Sequence, residues 1–283
     1  MIAITGTSGQ LGRLAIDTLL KTVPAANLVA LVRSPEKVAD LAARGVIVRQ
    51  GDYGQAPEAL ASALQGVEKL LLISSSEVGQ RATQHRNVIQ AAKQAGVKLI
   101  AYTSLLHADT SPLALATEHV ETEQLLASSG IPYVLLRNGW YTENYLASVP
   151  AALAHNVFIG SAGEGKIAAA PRKDYAEAAA RVITLEHQAG KVYELAGDTA
   201  WTLTELAAEI SKQSGKTVHY QNLSEADFTA ALEGAGLPAA FAALLADSDV
   251  GASKGGLFDD SHQLSTLLGH PTTPLSTSVK SAL

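Results

Sequence analysis

The sequence contains no cysteine, which excludes disulfide bonds, thiolate nucleophiles and metal sites built on thiolates. It has no apolar run of the ~18 residues that a transmembrane helix needs, and its first residues lack the charged and apolar regions of a signal peptide. Positive charge is not in excess, since the formal net charge is −6, so nucleic acid is not an expected partner. These absences predict a cytoplasmic protein without membrane insertion.

No metal site is predicted either, because the eight histidines form no ligand-spaced pair with a matching carboxylate cluster. Hydrophobic residues make up 47% of the sequence and charged residues 17%, which is typical of a globular protein with an ample core. A length of 283 residues suits one large domain, or a large domain with a smaller lobe.

The first half of the sequence alternates short apolar runs with helix-like segments. Strands are predicted at residues 2–5, 28–32, 46–50, 69–74, 99–103 and 133–137. Helices are predicted at 10–22, from Ser34-Pro35-Glu36 onward with Ser34 as the cap, and at 57–65, 80–95 and 117–128. Nearly continuous apolar strands that alternate with helices predict a Rossmann-like, doubly wound parallel sheet of the α/β class.

After about residue 140 the alternation loosens. A strand near 191–195 is expected to return to the sheet, 201–215 and 223–245 read as helical, and 251–256 reads as a loop. The predicted domains are therefore 1–140, which binds the cofactor, and 141–283, a mixed region. Part of the second region is expected to form a smaller, mainly helical substrate lobe over the carboxyl ends of the strands.

A glycine-spaced loop follows the first predicted strand and opens the first predicted helix. Its sequence is Thr5-Gly6-Thr7-Ser8-Gly9-Gln10-Leu11-Gly12. In such a loop the first glycine permits a tight turn, the second lets the backbone approach a pyrophosphate, and the third lets the helix pack close to the strand. The predicted phosphate-binding residues are Gly6, Thr7, Ser8, Gly9, Gln10 and Leu11. The alternative is a glycine turn that serves packing alone.

Two charged residues follow the next strands. Arg33 stands about 20 residues past Gly12, where NAD-selective sites carry an acid for the ribose 2′-hydroxyl. A guanidinium there favours a 2′-phosphate, and hence NADP(H), although Arg33 could instead be solvated at a strand end. Asp52 either accepts a hydrogen bond from the adenine amino group or caps a turn.

Three strand-end segments complete a familiar pattern: Leu72-Ile73-Ser74-Ser75-Ser76, Ala101-Tyr102-Thr103-Ser104 and Leu136-Arg137-Asn138-Gly139-Trp140-Tyr141. Together with the glycine loop and Arg33, they resemble the NmrA-like group of atypical short-chain dehydrogenases, over essentially the whole chain. Within that group the sequence is most similar to NADPH-dependent quinone oxidoreductases, along residues 247–258 as well, and the triphenylmethane reductases look more distant.

The resemblance implies a cofactor path over the strand ends. It places Ser74 and Ser75 near the riboses and Thr103 near the nicotinamide. It also places four consecutive residues on the nicotinamide side: Asn138, Gly139, Trp140 and Tyr141. For each serine, threonine or asparagine the alternative is a strand-end cap.

The Tyr-x-x-x-Lys pair of typical short-chain dehydrogenases is absent, because no tyrosine is followed by lysine four positions later. His119 and Glu123, one turn apart on a predicted helix, either offer an acid or form an exposed surface pair. A quinone spreads the charge of an added hydride around its ring, so its reduction needs proximity and stacking more than an acid.

Trp140, Tyr141, Asn144 and Tyr145 form a candidate wall for a planar acceptor, in a sequence that is only 5% aromatic. Trp140 and Tyr145 could equally be core residues joining the two lobes. Arg172 could reach the cleft, although exposure at the surface fits it better. No catalytic residue is assigned, and the candidates are Tyr141, Asn144 and His119.

The sequence thus predicts an NADPH-dependent quinone reductase, a monomer or homodimer, that transfers a hydride directly and without flavin. Two alternatives stay open. One is a non-catalytic NADP(H) redox sensor of the NmrA regulator type, and the other is a reductase of other planar aromatic acceptors such as triphenylmethane dyes.

Overall fold

Nine strands form two sheets in the computed structural model, which describes residues 1–283. The strands are β1 (Ile2–Thr5), β2 (Leu28–Val32), β3 (Ile47–Gln50), β4 (Lys69–Leu72), β5 (Leu99–Leu105), β6 (Tyr133–Asn138), β7 (Val157–Gly160), β8 (Val192–Leu195) and β9 (His219–Asn222). Seven of them form the larger sheet, in the order β3-β2-β1-β4-β5-β6-β8, and β7 pairs with β9. All neighbours from β3 to β6 run parallel.

Thirteen helices connect and flank the strands. They are α1 (Gln10–Leu19), α2 (Ala39–Ala43), α3 (Pro57–Ala63), α4 (Arg81–Gln94), α5 (Ala116–Ser129), α6 (Thr142–Leu146), α7 (Val149–His155), α8 (Arg172–Thr184), α9 (Leu203–Ser214), α10 (Glu225–Gly234), α11 (Ala239–Ser253), α12 (Gln263–Leu268) and α13 (Leu275–Ala282). None of them is long and apolar enough to span a bilayer.

The strand order confirms the Rossmann-like, doubly wound sheet. The chain lays down β1, β2 and β3 toward one edge and then crosses back, so that β4 lies on the other side of β1. The β2 sequence Leu-Val-Ala-Leu-Val is buried at every position, as expected for a strand covered on both faces. In open parallel sheets, ligands bind at the carboxyl ends of the strands where the order reverses, which here is the end of β1 and β4.

The chain divides into two compact units. The first contains Met1–Leu105, Thr117–Asn138 and Arg172–Tyr193, and it includes β1 to β6. The second contains Leu106–Ala116, Gly139–Pro171 and Glu194–Leu283, and it includes the two-stranded sheet with α6, α7 and α9 to α13. The domain division predicted at residue 140 describes consecutive pieces of chain and stays a prediction.

Three local expectations differ from the structure. Ser34 makes no side-chain cap, and a single 3₁₀ turn at Pro35–Val38 precedes the short helix α2. The helix expected over 223–245 is two helices, α10 and α11, because Gly236 has a φ of +94° and Pro238 starts the second one. The loop expected over 251–256 begins inside α11, and the left-handed turn comes only at Gly255, where φ is +83°.

Candidate functional site

The loop between β1 and α1 has the backbone of a phosphate-binding turn. Gly6 has a φ of +63°, and its carbonyl accepts a hydrogen bond of 2.9 Å from the Gly9 amide. A Cβ at Gly12 would lie 2.4 Å from the Gly6 carbonyl oxygen, so only glycine lets α1 begin this close to the loop. A Cβ at Gly9 would meet only the Gly6 oxygen, at 3.2 Å, so Gly9 presents its other side to solvent.

The start of α1 is suited to an anion. Gly9, the N-cap residue, supplies no side-chain cap, and the first turn has no acidic residue. The free amides and the positive end of the helix dipole are therefore left for a ligand. Thr7 adds a buried hydroxyl that has no hydrogen-bond partner, although buried polar atoms normally have one. The residues present thus fit a dinucleotide pyrophosphate.

Polar side chains link the carboxyl ends of β1, β4 and β5. The Thr5 hydroxyl accepts a hydrogen bond of 2.9 Å from the Ile73 amide. The Thr103 hydroxyl accepts one of 2.8 Å from the Ser74 amide and donates to the Ser74 hydroxyl at 3.3 Å. Ser74 and Thr103, which the sequence predicts on a cofactor path, therefore lie together at this edge of the sheet.

Arg33 lies exposed just past β2, where it pairs with an acid. Its Nη1 is 2.8 Å from Oε1 of Glu77, and its own carbonyl accepts a hydrogen bond from the Gln50 side chain. Glu77 belongs to the loop that follows β4. Arg33 is therefore not merely solvated, because Glu77 holds its guanidinium at the carboxyl edge of the sheet.

Asp52 shapes a turn after β3. Its Oδ1 accepts a hydrogen bond of 2.8 Å from the Gly54 amide, and its own amide donates to the Gln55 side chain. This is the turn-capping alternative of the sequence reading, and it leaves Oδ2 for another donor. The next residue, Tyr53, donates its hydroxyl to the Ile73 carbonyl at 2.8 Å and lies close to Gly6, a role that sequence reasoning missed.

A buried polar network holds the loop after β4. The Ser75 amide donates to Nε2 of His85 at 2.9 Å, and Nε of Arg81 donates to the Ser75 carbonyl at 2.7 Å. Arg81 also pairs with Glu118, whose other oxygen accepts the Gly79 amide at 2.9 Å. Because burial lowers the pKa of His85 to about 3, its ring stays neutral and accepts the Ser75 amide. Both backbone polar groups of Ser75 are therefore bonded to buried side chains of the fold.

His119 does not form an exposed surface pair with Glu123, which was one of the two alternatives predicted from the sequence. It is buried, with 4% of its surface exposed. Its Nδ1 is 2.8 Å from the Tyr102 hydroxyl, and its Nε2 is 3.4 Å from Nη1 of Arg81. Since Arg81 can only donate, Nε2 accepts and the ring proton lies on Nδ1. Burial, followed by the nearby Arg81 charge, holds the pKa of His119 well below its usual value.

Glu123 has different partners, all within the first unit. Its carboxylate accepts two hydrogen bonds from Arg137, at 3.0 and 2.8 Å, and one from the Ser104 hydroxyl at 2.6 Å. Glu123 therefore ties α5 to the ends of β5 and β6. The spacing of four between His119 and Glu123 puts both on the sheet-facing side of the helix, where both contact β5 and Glu123 also contacts β6.

Asn138 ends β6 with an unsatisfied side chain. It is 4% exposed, and neither its Nδ2 nor its Oδ1 has a hydrogen-bond partner. A buried amide without partners is costly, so a strand-end cap does not explain it. Such an amide is complementary to a ligand group that both donates and accepts.

The candidate acceptor residues follow in the second unit. Trp140 and Tyr145 are buried, at 9% and 7% exposure, whereas Tyr141 and Asn144 are partly exposed. Tyr145 packs edge-on against Trp201, with ring centroids 5.4 Å apart. Trp140 and Tyr145 are thus core residues of this unit, and Tyr141 and Asn144 are the two that can meet a ligand. Arg172, in the first unit, is also partly exposed.

An acid that sequence reasoning missed anchors the same segment. Asp249 on α11 accepts the Tyr145 hydroxyl at 3.0 Å and the Ser161 amide at 2.8 Å. Burial raises the pKa of Asp249 to about 6, against the opposing effect of these two donors. The sequence gives little sign of it, since a second aspartate, Asp247, stands two residues away.

Comparison with known proteins identifies the family of this chain. Residues 6–186 match the model of a family described as NAD(P)H-binding. Quinone oxidoreductase 2 of Escherichia coli is 73% identical over 99% of this chain and 97% of its own length. The crystal structure of the E. coli NADPH-dependent quinone oxidoreductase complexed with NADPH superposes with a TM-score of 0.97, at 72% identity and 99% coverage of both chains.

A second solved structure is more distant in sequence. The triphenylmethane reductase of Citrobacter sp., complexed with NADP(H), superposes with a TM-score of 0.96, at 41% identity over 100% of both chains. The matched family region begins at Gly6 and includes the phosphate loop, Arg33 and the strand ends to β6. This chain therefore belongs to the NAD(P)H-binding family.

Proposed function

We propose that this protein is an NADPH-dependent quinone oxidoreductase. The observation that carries the proposal is the full-length match to the E. coli quinone oxidoreductase solved with NADPH, at a TM-score of 0.97. The same backbone here carries a phosphate loop that fits a dinucleotide and a guanidinium at the end of β2.

The cofactor is assigned to the carboxyl edge of the sheet. The proposed pyrophosphate contacts are the amides of the loop from Gly6 to Leu11, with the unpartnered Thr7 hydroxyl as an added donor. Arg33 is proposed to bind the 2′-phosphate, Asp52 the adenine through its remaining oxygen, and Ser74 and Thr103 the middle of the cofactor. The unpaired Asn138 amide is suited to the carboxamide, which also donates and accepts.

The residues near this edge position the cofactor and the acceptor, and they do not supply a proton. When bound, the reduced nicotinamide supplies a hydride, which carries both electrons and makes a flavin unnecessary. His119, the one histidine proposed as an acid, is neutral and directs its proton to Tyr102 inside the fold. A quinone suits such a site, because the hydroquinone anion can take its proton from water. Tyr141 and Asn144 are proposed to stack on the acceptor and to donate to its oxygen.

The proposal is tested with purified protein that contains no flavin. NADPH and benzoquinone are mixed with the protein, and the loss of reduced nicotinamide is followed with hydroquinone formation. We expect quinone-dependent oxidation with one hydroquinone formed per NADPH. Tight NADPH binding without turnover on any acceptor would instead identify the redox sensor predicted as an alternative.

A second acceptor class has its own support. The match to the Citrobacter triphenylmethane reductase covers 100% of both chains at 41% identity. A triphenylmethane dye is aromatic and has a trigonal cationic carbon that can accept a hydride, so it belongs in the same assay. Faster turnover on the dye than on benzoquinone would make dye reduction the better description. A cytoplasmic location and a monomeric or dimeric state stay predictions from the sequence.

A further inference from the structure

The Arg33–Glu77 pair stands where the proposed 2′-phosphate has to bind. Oε1 of Glu77 lies 2.8 Å from Nη1 of Arg33, and the two side chains are 45% and 65% exposed. A planar carboxylate and a tetrahedral phosphate each present a pair of oxygen acceptors to a guanidinium fork. Glu77 therefore takes one of the donors that a 2′-phosphate would use.

Glu77 is held in this place by contacts of its own. Its Oε2 accepts a hydrogen bond of 2.7 Å from Nε2 of Gln84, and its amide donates to the Ser75 hydroxyl at 3.1 Å. Ser75 is in turn fixed by the buried side chains of His85 and Arg81. This support distinguishes Glu77 from a freely rotating surface acid that meets an arginine by chance.

We propose that Glu77 is a specificity-determining residue, which competes with the cofactor's 2′-phosphate for Arg33 and so moderates the preference for NADPH over NADH. The proposal rests on the assignment of Arg33 to the 2′-phosphate under the proposed function. NADPH has to displace the Glu77 carboxylate from Arg33 and then remain beside a like charge. NADH carries no phosphate at this position and leaves the pair in place.

The size of the effect follows from the exposure of the pair. An exposed ion pair changes an equilibrium by up to about fivefold, and repulsion between carboxylate and phosphate adds to this at low salt. We therefore expect Glu77→Gln to tighten NADPH binding by roughly three- to tenfold and to change the affinity for NADH by less than about twofold. The ratio of the two affinities rises accordingly.

Calorimetry on the full-length protein tests the proposal, with NADPH and NADH as the ligands at low and at high salt. Glu36→Gln is the matched control, because it removes the same charge from an exposed side chain three residues from Arg33. Glu77→Gln should tighten NADPH binding, Glu36→Gln should change it less than about twofold, and high salt should shrink the gain. In the Arg33→Ala background, the gain from Glu77→Gln should fall to less than half.

Unchanged or weaker NADPH binding by Glu77→Gln would overturn the proposal, and so would an equal gain from Glu36→Gln. Gln84→Met provides a second test, because it removes the hydrogen bond to Glu77 and leaves the Glu77 charge in place. It should also tighten NADPH binding, by a smaller factor than Glu77→Gln. Binding is measured without quinone, so the outcome is separate from the proposed reaction. If the native protein reduces quinone but Glu77→Gln leaves NADPH binding unchanged, only this inference is rejected and the proposed function stands.

Discussion

Arg33 is the residue that we propose discriminates between the two nicotinamide cofactors. Its guanidinium lies past the end of β2, is exposed and offers charge-assisted hydrogen bonds. We expect Arg33→Ala to weaken NADPH binding by about 2 kcal/mol and to leave NADH nearly unchanged, because only NADPH carries the extra phosphate. Binding constants for both cofactors, measured by titration, check this.

Arg33→Lys is the control for that prediction. Lysine keeps the charge but not the planar fork, so its loss of NADPH affinity should be intermediate. Equal losses for NADPH and NADH in the alanine variant would show that Arg33 does not bind the 2′-phosphate.

His119 contacts Tyr102 inside the fold, and we expect it to take no part in proton transfer. Its removal leaves the buried Tyr102 hydroxyl without its partner at 2.8 Å, which should lower the free energy of unfolding by about 1–3 kcal/mol. The turnover rate of folded His119→Ala should fall by less than about tenfold, well short of the 10²–10⁴ that general acid catalysis contributes. Urea unfolding and steady-state kinetics measure the two effects separately.

Tyr141→Phe is the companion variant, because Tyr141 is partly exposed and its ring is retained. It too should lose less than about tenfold in turnover rate. A thousandfold loss in either variant, with fold and NADPH binding intact, would identify a proton donor and favour a carbonyl acceptor instead.

Two glycines of the turn between β1 and α1 should respond differently to substitution, because Gly9 leaves room for a ligand and Gly12 packs against the backbone. At Gly9 an added side chain meets one protein atom at 3.2 Å and otherwise projects into the proposed pyrophosphate position. Gly9→Val should therefore stay folded and lose NADPH binding. At Gly12 a Cβ would lie 2.4 Å from a backbone oxygen, so Gly12→Ala should lower the melting temperature as well.

Circular dichroism and cofactor titration of both variants make the comparison. Normal NADPH binding by Gly9→Val would show that this loop is not the phosphate site.

The hydrogen bond from Tyr145 to Asp249 joins α6 and α11, and its contribution to stability depends on pH. Burial raises the pKa of Asp249 from 3.8 to about 6. A carboxyl whose folded pKa is raised contributes stability that is fully present below about pH 4 and is lost as the pH rises through about 6. The loss amounts to about 3 kcal/mol, since each pKa unit corresponds to 1.36 kcal/mol.

The difference in unfolding free energy between the native protein and Asp249→Asn should therefore fall as the pH rises from about 4 to 7. Denaturant unfolding of both proteins across this range measures it, and groups common to both cancel. A difference that does not vary with pH would mean that Asp249 titrates normally in the folded protein.

Local sequence rules predicted the elements that carry the cofactor site. The phosphate loop depends on a strand, three glycines and a helix that are neighbours in sequence, so its conformation is nearly independent of the rest of the chain. Ser74 and Thr103 were located because the ends of adjacent parallel strands lie at one edge of the sheet.

Orientation of helices was not predictable in the same way. Helix α5 carries no continuous apolar stripe, so nothing in Ala116–Ser129 shows which side meets the sheet, and the burial of His119 was not predicted. Glu77 was missed because its contact with Arg33 joins two loops 44 residues apart. Asp249 was missed for a related reason, since its partner Tyr145 is 104 residues away.

At the scale of the whole molecule, the central claim is that NADPH reduces a quinone directly. The fold places a phosphate loop after β1, a guanidinium after β2 and an unpaired amide at the end of β6. The two histidines that it buries nearby, His85 and His119, are held neutral and make their hydrogen bonds inside the fold. Such an arrangement binds and orients, and it leaves the chemistry to the cofactor and the acceptor.

The most direct test is a single-turnover measurement on flavin-free protein preloaded with NADPH, mixed rapidly with benzoquinone. Reduced nicotinamide should disappear at a rate that depends on quinone, and deuterium at the transferring carbon of NADPH should slow it, because that bond breaks in the step observed. Oxidation at the same rate with and without quinone would contradict direct hydride transfer to a quinone, and so would a requirement for added flavin.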